Sequence, residues 1–338
     1  MIAFNFSKNL VDHFSWNTSS LSDIHANDRI LRRWIEIIVS GTGKYFVIPA
    51  TVFQFALLLA NPVTLFAIFS SHALQQETRF RLLANSLIID LLYCSINFTV
   101  TATNISPVFF PAKLCDILLG LLLVVFFSGV LNITVMGVNI YLAVNWPLQY
   151  NSIITPSRAV KIIAAIWVLS SIVPLISFLA VSNDHAFVCE IPICYFNLMI
   201  YLLQPSSAII EVNYITLVVL CSSCFVLIFV CFYLLVSKTR KSGIWNGMPS
   251  KARQTISIHS IIFIFYFLPT VLLIIQKILL SYKLIDSTSV LYVSMVINNI
   301  VLPLPKVLTP YLYGFRCMEL SLTIQSLFKR RVQINPAG

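Results

Sequence analysis

The sequence predicts an all-α fold: a bundle of seven transmembrane helices followed by a short amphipathic helix at the inner membrane surface. Three observations carry that expectation. First, 58% of the 338 residues are hydrophobic and only 10% are charged, where a soluble domain carries roughly 25% charged residues; the mean hydropathy is +0.89. Second, apolar runs recur seven times, each near or above the roughly 20 residues that a membrane-crossing helix needs. Third, lysine and arginine gather in alternate loops between the runs, the pattern that sets orientation in a bilayer. The net charge of +10 is spread over these short groups instead of one face. That excludes a nucleic-acid partner and leaves the lipid bilayer as the chain's surroundings.

Residues 1–44 read as an extracellular amino-terminal tail. They lack the basic start and continuous apolar core of a cleavable signal peptide, so the first span is expected to act as its own insertion signal. Asn5 and Asn17 open glycosylation sequons in this tail. Asn97, Asn104 and Asn132 also open sequons, but they lie in or beside apolar runs, and Pro107 follows the Asn104 triplet.

The runs fall at about 45–70, 82–105, 114–144, 159–181, 209–236, 256–280 and 290–313. The third opens near Cys115 and carries no charge after Asp116 until well past Pro147. From Cys115 to Tyr141 the chain advances 26 residues, roughly 39 Å at ~1.5 Å per residue, so this helix must tilt in or protrude from the ~30 Å hydrocarbon core. Cys94, Cys221, Cys224 and Cys231 fall inside runs and read as small packing residues. Cys115, Cys189 and Cys194 are the cysteines placed to reach an oxidising compartment. The seventh run holds Pro303, Pro305 and Pro310. Each proline removes a backbone donor and crowds the preceding turn, so a bent helix with freed carbonyls is expected. Beyond Tyr313, Leu320, Ile324, Leu327 and Phe328 fall at helical spacing opposite Arg316, Glu319 and Thr323, the pattern of a helix lying on a membrane surface. The plan is a tail at 1–44, a seven-transmembrane domain at 45–313, and a surface helix with a cytoplasmic tail at 314–338.

Orientation follows from the loops. Arg79 and Arg81, Arg158 and Lys161, the group from Lys238 to Arg253, and the group from Arg316 to Arg331 occupy alternate loops, whereas the segment between spans four and five holds Asp184 and Glu190 without a basic residue. The positive-inside rule then orients the protein, whose expected location is the plasma membrane, with its amino terminus outside and its carboxyl terminus in the cytoplasm. Arg29, Arg32, Arg33 and Lys44 oppose this, but Asp23, Asp28 and Glu36 lie among them.

Two charges stand inside the membrane. Asp90 lies nine residues beyond Arg81, and Lys306 lies ten residues before Arg316, so both are about 14–15 Å from the cytoplasmic edge at ~1.5 Å per residue. A lone charge at the centre of a span costs about 2.5–3.5 kcal/mol on insertion scales, and the matched depths predict that the two form an intramembrane pair.

At this point the chain resembles the rhodopsin-like G-protein-coupled receptors. The resemblance rests on Cys115 at the outer start of span three, Tyr141 twenty-six residues on and Pro147-Leu148 after it. It extends to Asn61, Asp90, Trp167 with Pro174, Pro269, and Pro310 with Tyr313, a set in each of the remaining landmark spans. The segment from Lys238 to Trp245 and that from Ala252 to Ser260 are similar to an orphan receptor of this family, with chemosensory odorant-type receptors the next neighbours. Neither names a ligand.

The resemblance implies an unidentified extracellular ligand and a heterotrimeric G protein as partners, no cofactor, and several site residues. Where most of the family has Asp-Arg-Tyr, this chain has Asn139, Ile140 and Tyr141, so the acidic and basic members of the G-protein-facing motif are absent. Phe263, Phe267 and Pro269 stand at the transmission, toggle and kink positions of span six, with phenylalanine where tryptophan is usual. Pro310 and Tyr313 stand at the switch positions of span seven, and Thr309 replaces the usual Asn or Asp. The aspartate matching Asp90 helps hold a sodium ion in related receptors. Lys306 is expected to take that cation's place, and Gly129 offers no side-chain oxygen at another usual sodium contact. The resemblance places the ligand cavity among Leu119, Leu122, Leu123, Phe126, Thr270, Ile274, Met295 and Asn299, with Glu211 and Lys277 nearby as interfacial anchors. Leu122 stands where amine receptors carry aspartate, so a small apolar ligand with one or two polar handles is expected. Cys115 is expected to bridge to the segment after span four, at Cys189 or alternatively Cys194.

Two other classes were weighed on residues alone. A transporter or channel would also use Asp90, Lys306 and a proline-broken span, but no internal repeat divides the chain into halves. An enzyme would need a catalytic constellation, and the spans contain no His-Glu-x-x-His, Gly-x-Ser-x-Gly or aspartate dyad; His259 has no companion at metal-ligand spacing. The expectation is a receptor and not an enzyme.

Overall fold

The computed structural model describes residues 37, 43–104, 112–183, 194, 208–241, 250–282, 284–316 and 318–333. Asn5, Asn17 and Cys189 lie outside the described residues. Every element among them is helical. A 3-10 turn at Gly43–Phe46 leads into α1 (Val47–Ser70), and a short α2 (His72–Gln76) precedes α3 (Thr78–Thr103). Helix α4 (Ala112–Asn145) is followed by the short α5 (Pro147–Ile153), α6 (Pro156–Asn183) and α7 (Ala208–Lys241). Helices α8 (Ser250–Ser281), α9 (Ser287–Val296), α10 (Pro303–Arg316) and α11 (Met318–Gln333) complete the chain. A π-turn at Ile297–Val301 joins α9 to α10.

Among the described residues, six stretches are long and apolar enough to cross a membrane: Lys44–Ser70, Thr78–Thr103, Leu114–Asn145, Pro156–Ile176, Val218–Ser237 and Thr288–Tyr313. The remaining span, in α8, contains a shorter apolar helix at Ile261–Gln276. Together they make the seven-helix bundle that the apolar runs predicted. Span two starts earlier than expected, at Thr78, because Phe80 turns inward onto Ala67, Ile68 and Leu74.

Helix α4 is the hub, touching α3, α6, α7 and α8. Lipid tails are as apolar as leucine, so packing and interhelical hydrogen bonds, instead of escape from water, hold such helices together. Val130, Ile133 and Met136 of α4 interdigitate with Cys221, Cys224 and Ile228 of α7 and with Ile262, Phe263 and Phe267 of α8. Gly137 is needed at this contact: a Cβ there would meet Phe263 Cζ at 3.3 Å, so glycine lets the ring edge rest on the α4 backbone. The polar fasteners are equally specific. Asn85 donates to Asn132 Oδ1 at 2.9 Å, Asn132 donates to the Leu82 carbonyl at 3.2 Å, and the Trp167 indole donates to Asn85 Oδ1 at 3.1 Å. One small network thereby joins α3, α4 and α6, and it occupies the Asn132 amide whose sequon was discounted. Cys94, Cys221, Cys224 and Cys231 are buried and outside any disulfide, as packing residues.

Span seven is interrupted by a π-turn just ahead of its prolines, and the hydrogen bonds explain how. The Leu302 amide reaches back five residues to the Ile297 carbonyl at 2.9 Å, which defines the π-turn. Asn97 of α3 donates its side-chain amide to the next carbonyl, that of Asn298, at 3.4 Å. Pro303 and Pro305 have no N–H to offer the carbonyls four residues before them. After α10, α11 seats Leu320 under α1 and α3, against Ala67, Phe80, Leu83 and Leu87, with Ile324 beside it, and Arg79 bridges to Glu319 on its rim.

At the opposite end of the bundle the disulfide pairs Cys115 with Cys194, Cα to Cα 5.4 Å. This corrects the preference for Cys189. Asn104, at the end of α3, supplies the reason. Its side-chain amide donates to the Cys194 carbonyl at 2.6 Å and its oxygen accepts the Cys194 N–H at 2.7 Å. Both backbone groups of that cysteine are held beside Cys115, Leu119 and Val100.

Candidate functional site

The mid-membrane charges meet. Asp90 of α3 is 0% exposed and Lys306 of α10 is 2% exposed, and the ammonium lies 3.3 Å from Asp90 Oδ1. Two aromatic rings flank the ammonium: its Nζ is 4.6 Å from the Tyr93 centroid and 4.8 Å from the Tyr266 centroid. Each such contact adds about 2 kcal/mol where water is excluded. Gly129 of α4 faces the same group, since a Cβ built there would lie 3.5 Å from Nζ. The cation therefore sits among one carboxylate oxygen, two ring faces and a bare stretch of backbone.

A third span reaches the carboxylate. The Tyr266 hydroxyl of α8 donates to Asp90 Oδ1 at 2.7 Å, so the phenol and the ammonium share one oxygen. The phenol makes the tighter contact, because a charge-assisted N–H to O bond is usually about 2.7–2.9 Å and the lysine stands outside that range. Asp90 Oδ2, Ser128 Oγ and Asn61 Oδ1 are buried with no hydrogen-bond partner among the described residues. Sequence reasoning did not find Tyr266: it lies in the run Phe263 to Phe267, where one more aromatic reads as packing. The signal available was its hydroxyl, which a buried tyrosine must satisfy.

The other span-six and span-seven candidates lie on the same two helices as Tyr266 and Lys306. Phe263 packs edge-on against Phe232 at 5.0 Å between centroids, and Phe267 against Phe225 at 5.2 Å, so both rings of α8 face α7. Pro269 and Pro310 lie inside α8 and α10 respectively. Thr309 donates to the Pro305 carbonyl at 2.8 Å, bonding within its own helix. Tyr313 packs partly buried between the α4 core and the cluster under α11.

At the inner end of α4, Asn139 is buried and accepts a hydrogen bond from the Tyr150 hydroxyl at 2.9 Å. It fastens α5 to α4 instead of forming half of an acid–base lock. Burial raises the Tyr150 phenol above its ordinary pKa, with the Asn139 bond acting in the opposite sense. Ile140 is half-buried, and Tyr141 meets Trp146 edge-on at 5.8 Å between centroids.

The expected cavity residues divide into two groups. Leu119 is buried with the disulfide, while Leu122 and Phe126 pack onto the cluster of Leu57, Tyr93, Val125, Ile297 and Leu302. Leu123 and Ile274 are half-buried, Met295 is buried, and the Thr270 side chain lies outside the described residues. Asn299 is already committed: its Oδ1 accepts from Thr101 at 2.8 Å and its amide donates to the Met295 carbonyl at 3.0 Å. Gln276 was not anticipated. Its amide donates to the Val290 carbonyl at 2.9 Å and to Ser294 Oγ at 2.6 Å, while its Oε1 is buried without a partner among the described residues.

Comparison with known proteins gives a family and several relatives. Residues 60–313 match the family model of the seven-transmembrane receptor, rhodopsin family. The chain is 26% identical over 284 residues to the human protein described as probable G-protein coupled receptor 148, covering 84% of this chain and 82% of that one. It is 28% identical to rat somatostatin receptor type 1 over 39% of this chain and 35% of the receptor. Horse adenosine receptor A2a is likewise 28% identical, over 43% of this chain and 35% of the receptor.

Proposed function

The chain belongs to the rhodopsin family of seven-transmembrane receptors, and from that premise we propose that it carries an extracellular signal to a heterotrimeric G protein by rearranging packed helices. A small, largely apolar ligand entering among Leu119, Leu122, Leu123, Phe126, Thr270, Ile274, Met295 and Asn299 shifts spans six and seven. The amino terminus lies outside and the carboxyl terminus in the cytoplasm of a cell whose plasma membrane holds the chain. The Cys115–Cys194 bridge supports that orientation, because it needs the oxidising side of the membrane.

One observation supports this reading above others. The intramembrane charges are closed on each other, with Asp90 Oδ1 shared by Lys306 and Tyr266 across three spans. A cluster closed on itself suits a switch between two packings, whose bias is a difference in ligand affinity, better than a path along which ions or solutes pass. Lys306 supplies from within the chain the cation that Asp90 needs, so the receptor is insensitive to sodium. Asn139, tied to Tyr150, and Ile140 provide no charge for a partner. Coupling therefore runs through contacts other than an arginine at position 140.

The test is a G-protein dissociation assay across all G-protein classes, without ligand, comparing the chain with Ile140→Arg. We expect basal signal through at least one class and a changed amplitude in the variant. No signal from either protein, together with solute-dependent current or uptake, contradicts the reading.

A further inference from the structure

Three spans hold the central cluster, and the one from α8 is bound through a single neutral group. Tyr266 is 6% exposed. Its hydroxyl takes Asp90 Oδ1 at 2.7 Å, its ring forms one wall beside the Lys306 ammonium, and the hydroxyls of Ser86 and Thr309 flank the same phenol. Phe263 and Phe267 share its turn of α8 at i−3 and i+1, and they carry the contacts of α8 with Phe232 and Phe225 of α7. We infer that Tyr266 is the positioning residue that ties the placement of α8 to the buried Asp90–Lys306 pair.

The geometry makes this a two-position device. A hydrogen bond weakens steeply beyond its 2.5–3.0 Å range, so any outward shift or rotation of α8 removes the phenol from the carboxylate and takes one ring from the cation at the same step. The pair itself survives that loss. Asp90 Oδ2 has no partner among the described residues, so the ammonium, freed from sharing Oδ1, gains access to both carboxylate oxygens. In one arrangement α8 is fastened and the carboxylate oxygen is shared; in the other α8 is released and the lysine holds the carboxylate alone. Elements with two discrete packings of this kind are what amplify small shifts at a ligand site. The inference rests on the reading of the chain as a packing switch, and its test reads helix position instead of signalling, so the two fail separately.

Spin labels attached at Ser250, in the first turn of α8, and at His72, in α2, report the distance between the ends of the sixth and second spans. They are introduced in full-length protein with Cys189 and Cys317 replaced by serine; the four cysteines of the described spans that form no disulfide are buried. Tyr266→Phe keeps the ring and removes only the donor. We expect it to add a longer-distance population absent from the parent. In an Asp90→Ala, Lys306→Gln background, where the shared oxygen is gone, the same substitution is expected to change nothing further. A purely structural tyrosine would lower the melting temperature of both backgrounds alike and leave the distances unmoved. Unchanged distances in folded Tyr266→Phe overturn the inference, as does an equal shift in both backgrounds. A Tyr266→Phe protein that does not fold overturns it as well, because the hydroxyl would then serve folding instead of placement.

Discussion

A buried carboxylate and a buried ammonium 3.3 Å apart are stabilising only together, because each alone is a charge without water. Removing one partner of such a pair typically costs about 3–5 kcal/mol. In detergent melts, Lys306→Gln and Asp90→Asn are each expected to lower stability by about that amount, and the double change by less than the sum of the two. Additive losses would mean that the contact contributes nothing. The same melts run in sodium and in N-methylglucamine should coincide for the parent, since its site already holds a cation; a rise in sodium would contradict the role given to Lys306. This pair was legible in the sequence because charge is conspicuous in an apolar run and depth is obtained by counting from Arg81 and Arg316. Tyr266 was not legible, because its partner lies 176 residues away and its neighbours Phe263, Phe265 and Phe267 mask one hydroxyl among rings. Which cysteine meets Cys115 was undecided for a similar reason: the clamp on Cys194 comes from Asn104, 90 residues earlier.

Helix-scale behaviour follows from where backbone approaches backbone and where the ladder is broken. Gly137 seats Phe263, and a methyl group there would stand 3.3 Å from the ring edge and 3.6 Å from Ile228 Cγ1. Gly137→Ala therefore forces α8 or α7 to yield by a few tenths of an ångström, and overpacking of this kind costs about 1–3 kcal/mol. Its expected signature is a lower melting temperature in detergent that Phe263→Leu, by removing the ring edge, partly restores. Equal melting of parent and Gly137→Ala would show that the contact is slack. The three prolines of span seven announced an irregular helix, as proline chemistry requires, but not the form of the irregularity. The π-turn depends on Leu302 bonding Ile297 and on Asn97 of another helix taking up the Asn298 carbonyl. The first is a choice between hydrogen-bond registers and the second a tertiary contact, and neither leaves a mark in local composition.

For the molecule as a whole, the apolar runs specified the helices almost to their ends, because the bilayer demands a fixed length and satisfied backbone groups from every crossing. Their arrangement around α4 was not contained in those runs, because it depends on which helix faces meet. The fold and the match over residues 60–313 make this chain a member of the rhodopsin family, and its own features set its character: a lysine paired with a buried aspartate, Asn139 fastened to Tyr150, and isoleucine at position 140. All of them presuppose an odd number of crossings, with the ligand side and the G-protein side on opposite faces. Epitopes placed before Met1 and after Gly338 test this most directly in cells expressing the full chain. The account predicts that antibody reaches the first on intact cells and the second only after permeabilisation; staining of the second on intact cells would contradict it.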